Sequence, residues 1–191
     1  MSDMRSQIQD AAAELFAERG YEGVSMRDIA KAVGVTQANL YYHFQGKADL
    51  IEATLSHVFG GSAERLETWL AEHPDDQVKA FVFWLVRALM TDRIFARLLY
   101  RELIDGDDLR IETLSRTVLQ RPFQLLVSAM ASDRTIESAR ASALSLIGCA
   151  IGQVLILPVT PGLVGPSSGS ETADAVVERL FLLFQSSLVE L

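Results

Sequence analysis

The segment from residue 36 to residue 47 concentrates polar side chains that can hydrogen-bond to nucleic acid. They are hydroxyl, amide, imidazole and ammonium groups, carried by Thr36, Gln37, Asn39, Tyr41, Tyr42, His43 and Lys47. Hydroxyl and ammonium groups suit phosphate oxygens, whereas an Asn or Gln amide can form two hydrogen bonds with adenine in the major groove. Arg27 adds a cation upstream of this segment. These residue types predict a surface that reads duplex DNA.

Two short helices joined by a glycine turn would position these side chains. Ser25 and Asp28 have the spacing of a capping box, in which a hydroxyl and an acid three residues later open a helix. Gly34 would end that helix, and Thr36 can cap the next one. The residues expected to face inward are Met26, Ile29, Ala30 and Val33 on the first helix, and Leu40 and Phe44 on the second. The layout is that of a helix-turn-helix, whose second helix enters the major groove.

Residues 25–36, followed by Leu-Tyr-Tyr-His-Phe at 40–44 and by Lys47, form a run that resembles the N-terminal domain of TetR/AcrR-type regulators. The resemblance covers roughly residues 5–58. It implies an all-helical homodimer, a palindromic operator and a ligand-responsive C-terminal domain. It also implies contacts with DNA, mostly with its backbone, by Met26, Arg27, Thr36, Gln37, Tyr41, Tyr42, His43 and Lys47.

Three positions of this motif leave alternatives open. Met26 stands where such regulators often have a threonine or serine that bonds a phosphate, and Ala38 stands where glycine is common. One of the three consecutive residues 41–43 must lean inward on a helix. Tyr41 therefore either contacts DNA or packs between helices.

Apolar residues recur at intervals of three and four along nearly the whole chain, and no segment sustains an alternation of period two. This pattern predicts an all-α fold. We expect a three-helix DNA-binding domain at residues 1–46 and an effector-binding and dimerisation domain at residues 47–191. Further helices are predicted at 47–69, with a soft point at Gly60-Gly61, and at about 75–90, 92–104, 108–131, 134–157 and 171–189. Residues 158–170 are predicted to form a loop.

The helices between residues 75 and 157 are rich in apolar bulk, and TetR-like proteins hold an effector between such helices. Effector pockets are apolar with a few polar anchors. We expect the lining residues to be Phe81, Trp84, Leu85, Leu99, Tyr100, Glu102, Leu103, Phe123, Leu126 and Gln153, although ordinary core packing is the alternative for each apolar residue. Glu102 and Gln153 interrupt apolar stripes, so each contacts either a ligand or an internal partner. The candidate partners of Glu102 are Arg97, Arg101 and Arg140.

The last two predicted helices carry more apolar surface than one side of a helix can bury. The family resemblance implies a four-helix dimer interface here, and we expect a homodimer through residues 134–157 and 171–189. Gly148 and Gly152 would let another helix approach closely. The uncharged run 141–157 is about three residues short of a membrane span, so we expect a helix buried in protein and no membrane partner. The single cysteine, Cys149, is expected to be a small buried side chain.

The net charge of −8 predicts little attraction to random DNA, but residues 24–47 carry three positive side chains and one negative. The sequence has no nucleophile–base pair, metal-ligand spacing or phosphate loop, so we expect neither an enzyme nor a cofactor or metal site. The single cysteine and the lack of a secretory signal suit the cytoplasm. The expected function is a transcriptional repressor that a small apolar or aromatic effector releases from its operator. The alternatives are an activator, a DNA-binding regulator without an effector, and an enzyme with an attached DNA-binding module.

Overall fold

The computed structural model describes residues 3–131, 135–165 and 171–188 of the chain. Every regular element among these residues is helical, which confirms the predicted all-α fold. The α-helices are α1 (Met4–Arg19), α2 (Met26–Val33), α3 (Gln37–His43), α4 (Lys47–Phe59), α5 (Ser62–Ala71), α6 (Gln77–Thr91), α7 (Arg93–Asp105), α8 (Asp108–Leu114), α9 (Gln120–Met130), α10 (Ile136–Ile156), α11 (Thr160–Val164) and α12 (Ala173–Leu188). Short 3-10 turns at Pro74–Asp76 and Leu157–Val159 and a π turn at Ser115–Leu119 lie between them.

The helices form two compact units. The first comprises Met1–Ala63 and Arg93–Gln120, and the second comprises Glu64–Asp92 and Arg121–Leu191. Helix α4 and the α7–α8 pair therefore pack with the three N-terminal helices. The predicted functional division after residue 46 stays a prediction, because compactness does not test which residues bind DNA or an effector.

In the first unit, helix α1 lies at the centre and packs on α2, α4 and α7. Its buried stripe includes Ile8, Ala12 and Phe16. Full burial of a large apolar side chain contributes about 1.5–3 kcal/mol. The largest fully buried side chains of this unit are Ile8, Phe16, Ile29, Leu40, Phe44, Leu50, Ile51, Leu55, Leu98 and Leu114. Because four of them lie on α2, α3 and α4 before residue 52, and Phe44 directly follows α3, the short helices α2 and α3 are fixed on a packed base.

Two glycines separate α4 from α5, so the predicted continuous helix over residues 47–69 is wrong. Gly61 has φ +69°, a left-handed conformation that costs a residue with a side chain about 1–2 kcal/mol. A Cβ on Gly60 would stand 2.5 Å from the carbonyl oxygen of Ser56. The apolar periodicity continues across the glycines and conceals the turn, which only their backbone conformation reveals.

In the second unit, helix α6 packs against both α10 and α12. The buried residues on α10 are Ala139, Ala143, Leu146, Ala150 and Val154, and those on α12 are Val176, Val177 and Leu180. The Trp69 indole of α5 donates a 2.8 Å hydrogen bond to the Ala80 carbonyl of α6 and stacks on Phe83. These contacts attach α5 to α6 and make α6 the central helix of the unit.

One face of α10 is apolar and exposed. Leu144 is 63% exposed and Leu155 is 53% exposed, while a Cβ added to Gly148 or Gly152 would meet open space. Within the described residues, Ile136–Leu163 is long and apolar enough to cross a membrane by length and composition, which core helices of soluble proteins also are. Only 17% of its most apolar window is buried, and Cys149 is exposed. The predicted burial of this helix and of Cys149 is therefore wrong for the single chain, because an uncharged run does not distinguish a core helix from an interface helix.

Two other predicted segments differ in detail. The predicted helix at 108–131 consists of α8 and α9 joined by the π turn. The predicted loop at 158–170 contains helix α11, which has Pro161 in its first turn, where the missing N–H of proline is tolerated. Residues 166–170 of that loop, and the ends 134 and 189 of the predicted interface helices, lie outside the described residues.

Candidate nucleic-acid interface

Helix α2 has defined ends because side chains satisfy its terminal backbone groups. The Ser25 Oγ accepts a 3.2 Å hydrogen bond from the Asp28 N–H, and the Asp28 carboxylate accepts a 2.9 Å bond from the Ser25 N–H. A hydrogen bond from the Ser25 hydroxyl and the one from the Ser25 N–H lower the pKa of the Asp28 carboxyl. At the other end Gly34 has φ +79°, which glycine adopts without strain. The predicted capping box and glycine stop are confirmed.

Helix α3 turns one face into the core and the other toward solvent. Thr36 caps it by accepting a 3.2 Å hydrogen bond from the Asn39 N–H, and Leu40 and Phe44 are almost completely buried. The outer face presents Gln37, Asn39, Tyr41 and Tyr42, of which Tyr41 is 54% exposed and Tyr42 is 85% exposed. His43 is half-buried. The alternative in which Tyr41 packs inward is therefore wrong.

The N-terminal ends of α2, α3 and α4 meet around an open groove of about 500 Å³. The groove is lined by Glu22, Gly23, Val24, Ser25, Met26, Arg27, Asp28, Gln37, Tyr41 and Lys47. Helix N-termini carry partial positive charge and unpaired N–H groups, which favour phosphate oxygens. Arg27 is exposed, Lys47 is half-buried, and the Met26 side chain is buried. Met26 therefore cannot offer a phosphate contact through its side chain, whereas Arg27 and Lys47 can.

The sequence analysis missed Arg5 on α1. Its guanidinium donates a 2.8 Å hydrogen bond to the His43 carbonyl and lies 4.3 Å from the centre of the Phe44 ring. Arg5 thus satisfies a carbonyl at the end of α3 and fixes that end on α1. No helical spacing could have revealed this contact, because 38 residues separate the two partners.

A cluster of charged and aromatic groups adjoins the groove. The Lys47 ammonium lies 4.1 Å from the centre of the Tyr21 ring, and the Arg110 guanidinium lies 4.2 Å from the same centre. Arg110 forms a buried ion pair with Glu102, with 3.0 Å between its Nε and the Oε2 of the carboxylate. Burial raises the pKa of the Glu102 carboxyl, and the charge of Arg110 partly offsets this effect.

The predicted partners of Glu102 are wrong, because the arginine that pairs with it is Arg110 of α8 rather than Arg97, Arg101 or Arg140. The turn after α7 folds α8 back, and only this reversal brings residues eight apart together. Arg101 instead donates hydrogen bonds to the carbonyls of Ala17 and Glu18 at the end of α1. The buried carboxylate thus has an internal partner, and its predicted contact with an effector stays a prediction.

The other predicted effector residues have varied surroundings, and their role stays a prediction. Phe81, Leu85, Leu99 and Leu126 are buried, while Trp84, Tyr100, Phe123 and Gln153 are half-buried. Leu103 was expected inside the protein but is 44% exposed. It lies at the solvent-exposed edge of the buried face of α7. Gln153 accepts a 3.3 Å hydrogen bond from Arg179. The Tyr100 hydroxyl is shielded from solvent and has no hydrogen-bond partner among the described residues.

Comparison with known proteins assigns the N-terminal helices to a family. Residues 8–54 match the bacterial regulatory proteins of the tetR family. YttP of Bacillus subtilis, a probable HTH-type transcriptional regulator, is 30% identical over 129 residues, which are 64% of this chain and 62% of YttP. IcaR of Staphylococcus aureus, the negative transcriptional regulator of the biofilm operon icaADBC, is 43% identical over 56 residues, which are 29% of this chain and 30% of IcaR. The chain thus spans less than two thirds of the curated relatives it matches.

A solved structure extends the likeness to most of the fold. FadR from Bacillus subtilis, in complex with stearoyl-CoA, has a TM-score of 0.71 and 21% sequence identity, and covers 92% of this chain and 96% of its own. Identity at this level shows a shared fold alone. The family match falls on the helices that form the groove and the exposed face of α3. The match to the tetR family thus lies within residues 8–54, about a quarter of the chain.

Proposed function

We propose that this chain is a cytoplasmic transcriptional repressor, without enzymatic activity, that binds a palindromic operator as a homodimer and is released by a small-molecule effector. The observation that supports it most directly is the exposed polar face of α3 beside two cations, Arg27 and Lys47. The packing of α3 leaves the amides of Gln37 and Asn39 and the phenol of Tyr42 exposed. The described action of IcaR as a negative regulator favours repression over activation.

Selection of duplexes from random-sequence DNA tests the DNA step. The purified full chain is expected to enrich a palindrome whose half-sites lie about 34 Å apart, and a footprint should show both half-sites protected together. The Gln37→Ala and Asn39→Ala variants should each relax the preference at one base pair of each half-site, by about 1–3 kcal/mol per half-site if the amide bonds adenine. Failure of the full chain to enrich any duplex at low ionic strength would disprove the proposal.

Homodimerisation is proposed through the exposed apolar face of α10, together with α12. Leu182 and Leu183 of α12 are exposed like Leu144 and Leu155 of α10, so both helices present apolar side chains to solvent. Contiguous exposed apolar surface of this kind typically marks an interface. The open space at Gly148 and Gly152 would admit a partner helix at close range.

The Tyr100 hydroxyl is the polar group that we propose as an anchor for the effector. Burial raises its pKa, so the group stays protonated and able to donate at neutral pH. A shielded hydroxyl without a partner is unfavourable until a polar ligand atom accepts its hydrogen bond. Because the FadR structure contains stearoyl-CoA, acyl-CoA thioesters of graded length are suitable first probes, next to small aromatic compounds.

The Tyr100→Phe variant tests this anchor. Removing an unsatisfied hydroxyl should leave the free energy of unfolding unchanged or slightly higher, and should leave the affinity for operator DNA unchanged. The concentration of effector that releases half of the protein from operator DNA should rise about five- to tenfold. An unaltered response of Tyr100→Phe would exclude this anchor. If no probe releases the wild-type protein, the regulator without an effector becomes the better description.

A further inference from the structure

Tyr21, in the turn between α1 and α2, connects a DNA-facing lysine to a buried ion pair. The centre of its ring lies 4.1 Å from the Lys47 ammonium and 4.2 Å from the Arg110 guanidinium. The negative face of an aromatic ring attracts cations, so one half-buried ring contacts two positive groups of the same unit. Both contacts lie outside the exposed face of α3.

Of the three groups, Arg110 is the most firmly fixed. It is 7% exposed, pairs with the Glu102 carboxylate at 3.0 Å, and donates a 2.8 Å hydrogen bond to the Asp105 carbonyl. Charged groups at this depth are held by such partners, since leaving either charge alone would be unfavourable. Arg110 therefore fixes the Tyr21 ring, rather than the reverse.

The turn that carries Tyr21 is held from α7 as well. Arg101 donates hydrogen bonds of 3.0 Å and 2.7 Å to the carbonyls of Ala17 and Glu18, which end α1. A Cβ on Gly20 would lie 2.9 Å from the Arg101 Nη1 and would displace the guanidinium, and the φ of +73° at this residue also favours glycine. The α7–α8 pair thus holds Tyr21 in two ways: Arg101 bonds the backbone just before it, and Arg110 contacts its ring.

We propose that Tyr21 is a positioning residue, which holds the Lys47 ammonium ready for a DNA phosphate, and that the Glu102–Arg110 pair sets the place of the ring. The DNA part of this inference rests on the proposed function. Lysine has a flexible four-carbon side chain that loses freedom when it binds. A ring that confines the ammonium beforehand reduces this loss, as preorganisation generally does.

The position of Lys47 can be measured without DNA. The chain has three lysines, Lys31, Lys47 and Lys79, so lysine labelled with ¹³C at the ε-carbon gives three side-chain signals, and Lys47→Ala identifies one. The ring should shift the Lys47 signal upfield of the other two. Tyr21→Phe keeps the ring and should keep the shift, whereas Tyr21→Leu should lose it. An unshifted Lys47 signal in the wild-type protein would refute the inference.

The DNA measurement uses one duplex, selected by the wild-type protein, across a series of salt concentrations. Lys47→Ala should lower the slope of log affinity against log salt by about 1.8, as expected when the dimer loses one phosphate contact in each half-site. Tyr21→Leu should weaken binding about fivefold, or about 1 kcal/mol, and lower the slope toward that of Lys47→Ala. Tyr21→Phe should resemble the wild type, and the Tyr21→Leu/Lys47→Ala double variant should bind like Lys47→Ala alone.

Equal or tighter binding by Tyr21→Leu would overturn the inference, because the ring would then restrain Lys47 away from DNA. Additive losses in the double variant would also overturn it. A wild-type protein that binds no duplex refutes the proposed function instead, while the lysine signal still decides the position of Lys47. If Tyr21→Leu fails to fold, Glu102→Gln/Arg110→Met replaces it, since this pair change leaves no lone buried charge. The Lys47 signal of that variant should move toward those of Lys31 and Lys79, and an unmoved signal would contradict the role of the ion pair.

Discussion

The exposed faces of α3 and α10 suit opposite kinds of partner. On α3 the side chains are amides and phenols, such as Gln37, Asn39 and Tyr42, which water solvates well. On α10 they are aliphatic, such as Leu144 and Leu155, and exposed apolar area is unfavourable by about 25 cal/mol per Å². The α3 face is therefore stable alone, which suits the reversible DNA binding proposed for it. The α10 face is stable when covered, so we expect a lasting dimer on which reversible DNA binding depends.

Charging the α10 face should have the largest effect. Leu144→Glu with Leu155→Glu would place carboxylates in the proposed interface, and the chain should become monomeric by light scattering. Two linked half-site contacts bind about 10²–10⁴ times more tightly than one alone. Operator affinity of the monomeric variant should therefore fall at least about a hundredfold. Leu109→Glu on α8 is the matched control, because Leu109 is 64% exposed and Leu144 is 63% exposed. If Leu144→Glu with Leu155→Glu stays dimeric while Leu109→Glu becomes monomeric, the dimer interface lies elsewhere.

A substitution on the α3 face should act on DNA binding alone. Tyr42 is 85% exposed, so Tyr42→Ala should leave the unfolding transition unchanged. Operator affinity should fall about tenfold, the loss expected when each of the two half-sites loses one contact of about 0.7 kcal/mol. Tyr42→Phe separates the two parts of the side chain, and should show the same loss if the hydroxyl bonds a phosphate. Wild-type affinity in Tyr42→Ala would remove this residue from the reading surface. A lower melting temperature would instead give Tyr42 a structural role.

The two faces also differ in how far the sequence could predict them. The cap of α2 and its glycine stop were predictable, because Ser25 and Asp28 are three residues apart and bond to each other's backbone. The inward turn of Leu40 and the outward turn of the polar residues of α3 follow from the helical period in the same way. For α10 the sequence predicted a helix buried in protein, whereas much of it is exposed in the single chain, because an uncharged run carries no sign of which partner covers it.

Contacts between distant residues were beyond sequence reasoning. The Glu102–Arg110 pair requires the chain to reverse between α7 and α8, and the Arg5 contact with the His43 carbonyl requires α1 to pack beside α3. The break at residues 60–61 was predicted only as a soft point within one helix, because apolar residues repeat with helical spacing on both sides of it. Local hydrogen bonds were thus predictable, and tertiary pairings were not.

The smallest predicted effect compares the caps of the two helices. Ser25 caps α2 and Thr135 caps α10, each accepting a hydrogen bond from the N–H three residues on. Replacing either cap with alanine should lower the free energy of unfolding by about 1 kcal/mol near neutral pH. The third residue is acidic only in α2, where it is Asp28, whereas α10 has Ser138 there. The two variants should therefore respond differently to acid.

The pKa of Asp28 is lowered below its ordinary 3.8 by hydrogen bonds from Ser25, so the stabilisation is present above that value and is lost as the pH falls through the folded-state pKa. Thermal unfolding should be measured from neutral pH to about pH 2.5. The difference in free energy of unfolding between the wild type and Ser25→Ala should become smaller below about pH 4. The gap for Thr135→Ala should stay constant, because no carboxylate takes part in that cap. If the difference from the wild type became smaller by the same amount in both variants, the cause would be a general destabilisation of the protein by acid and not protonation of Asp28.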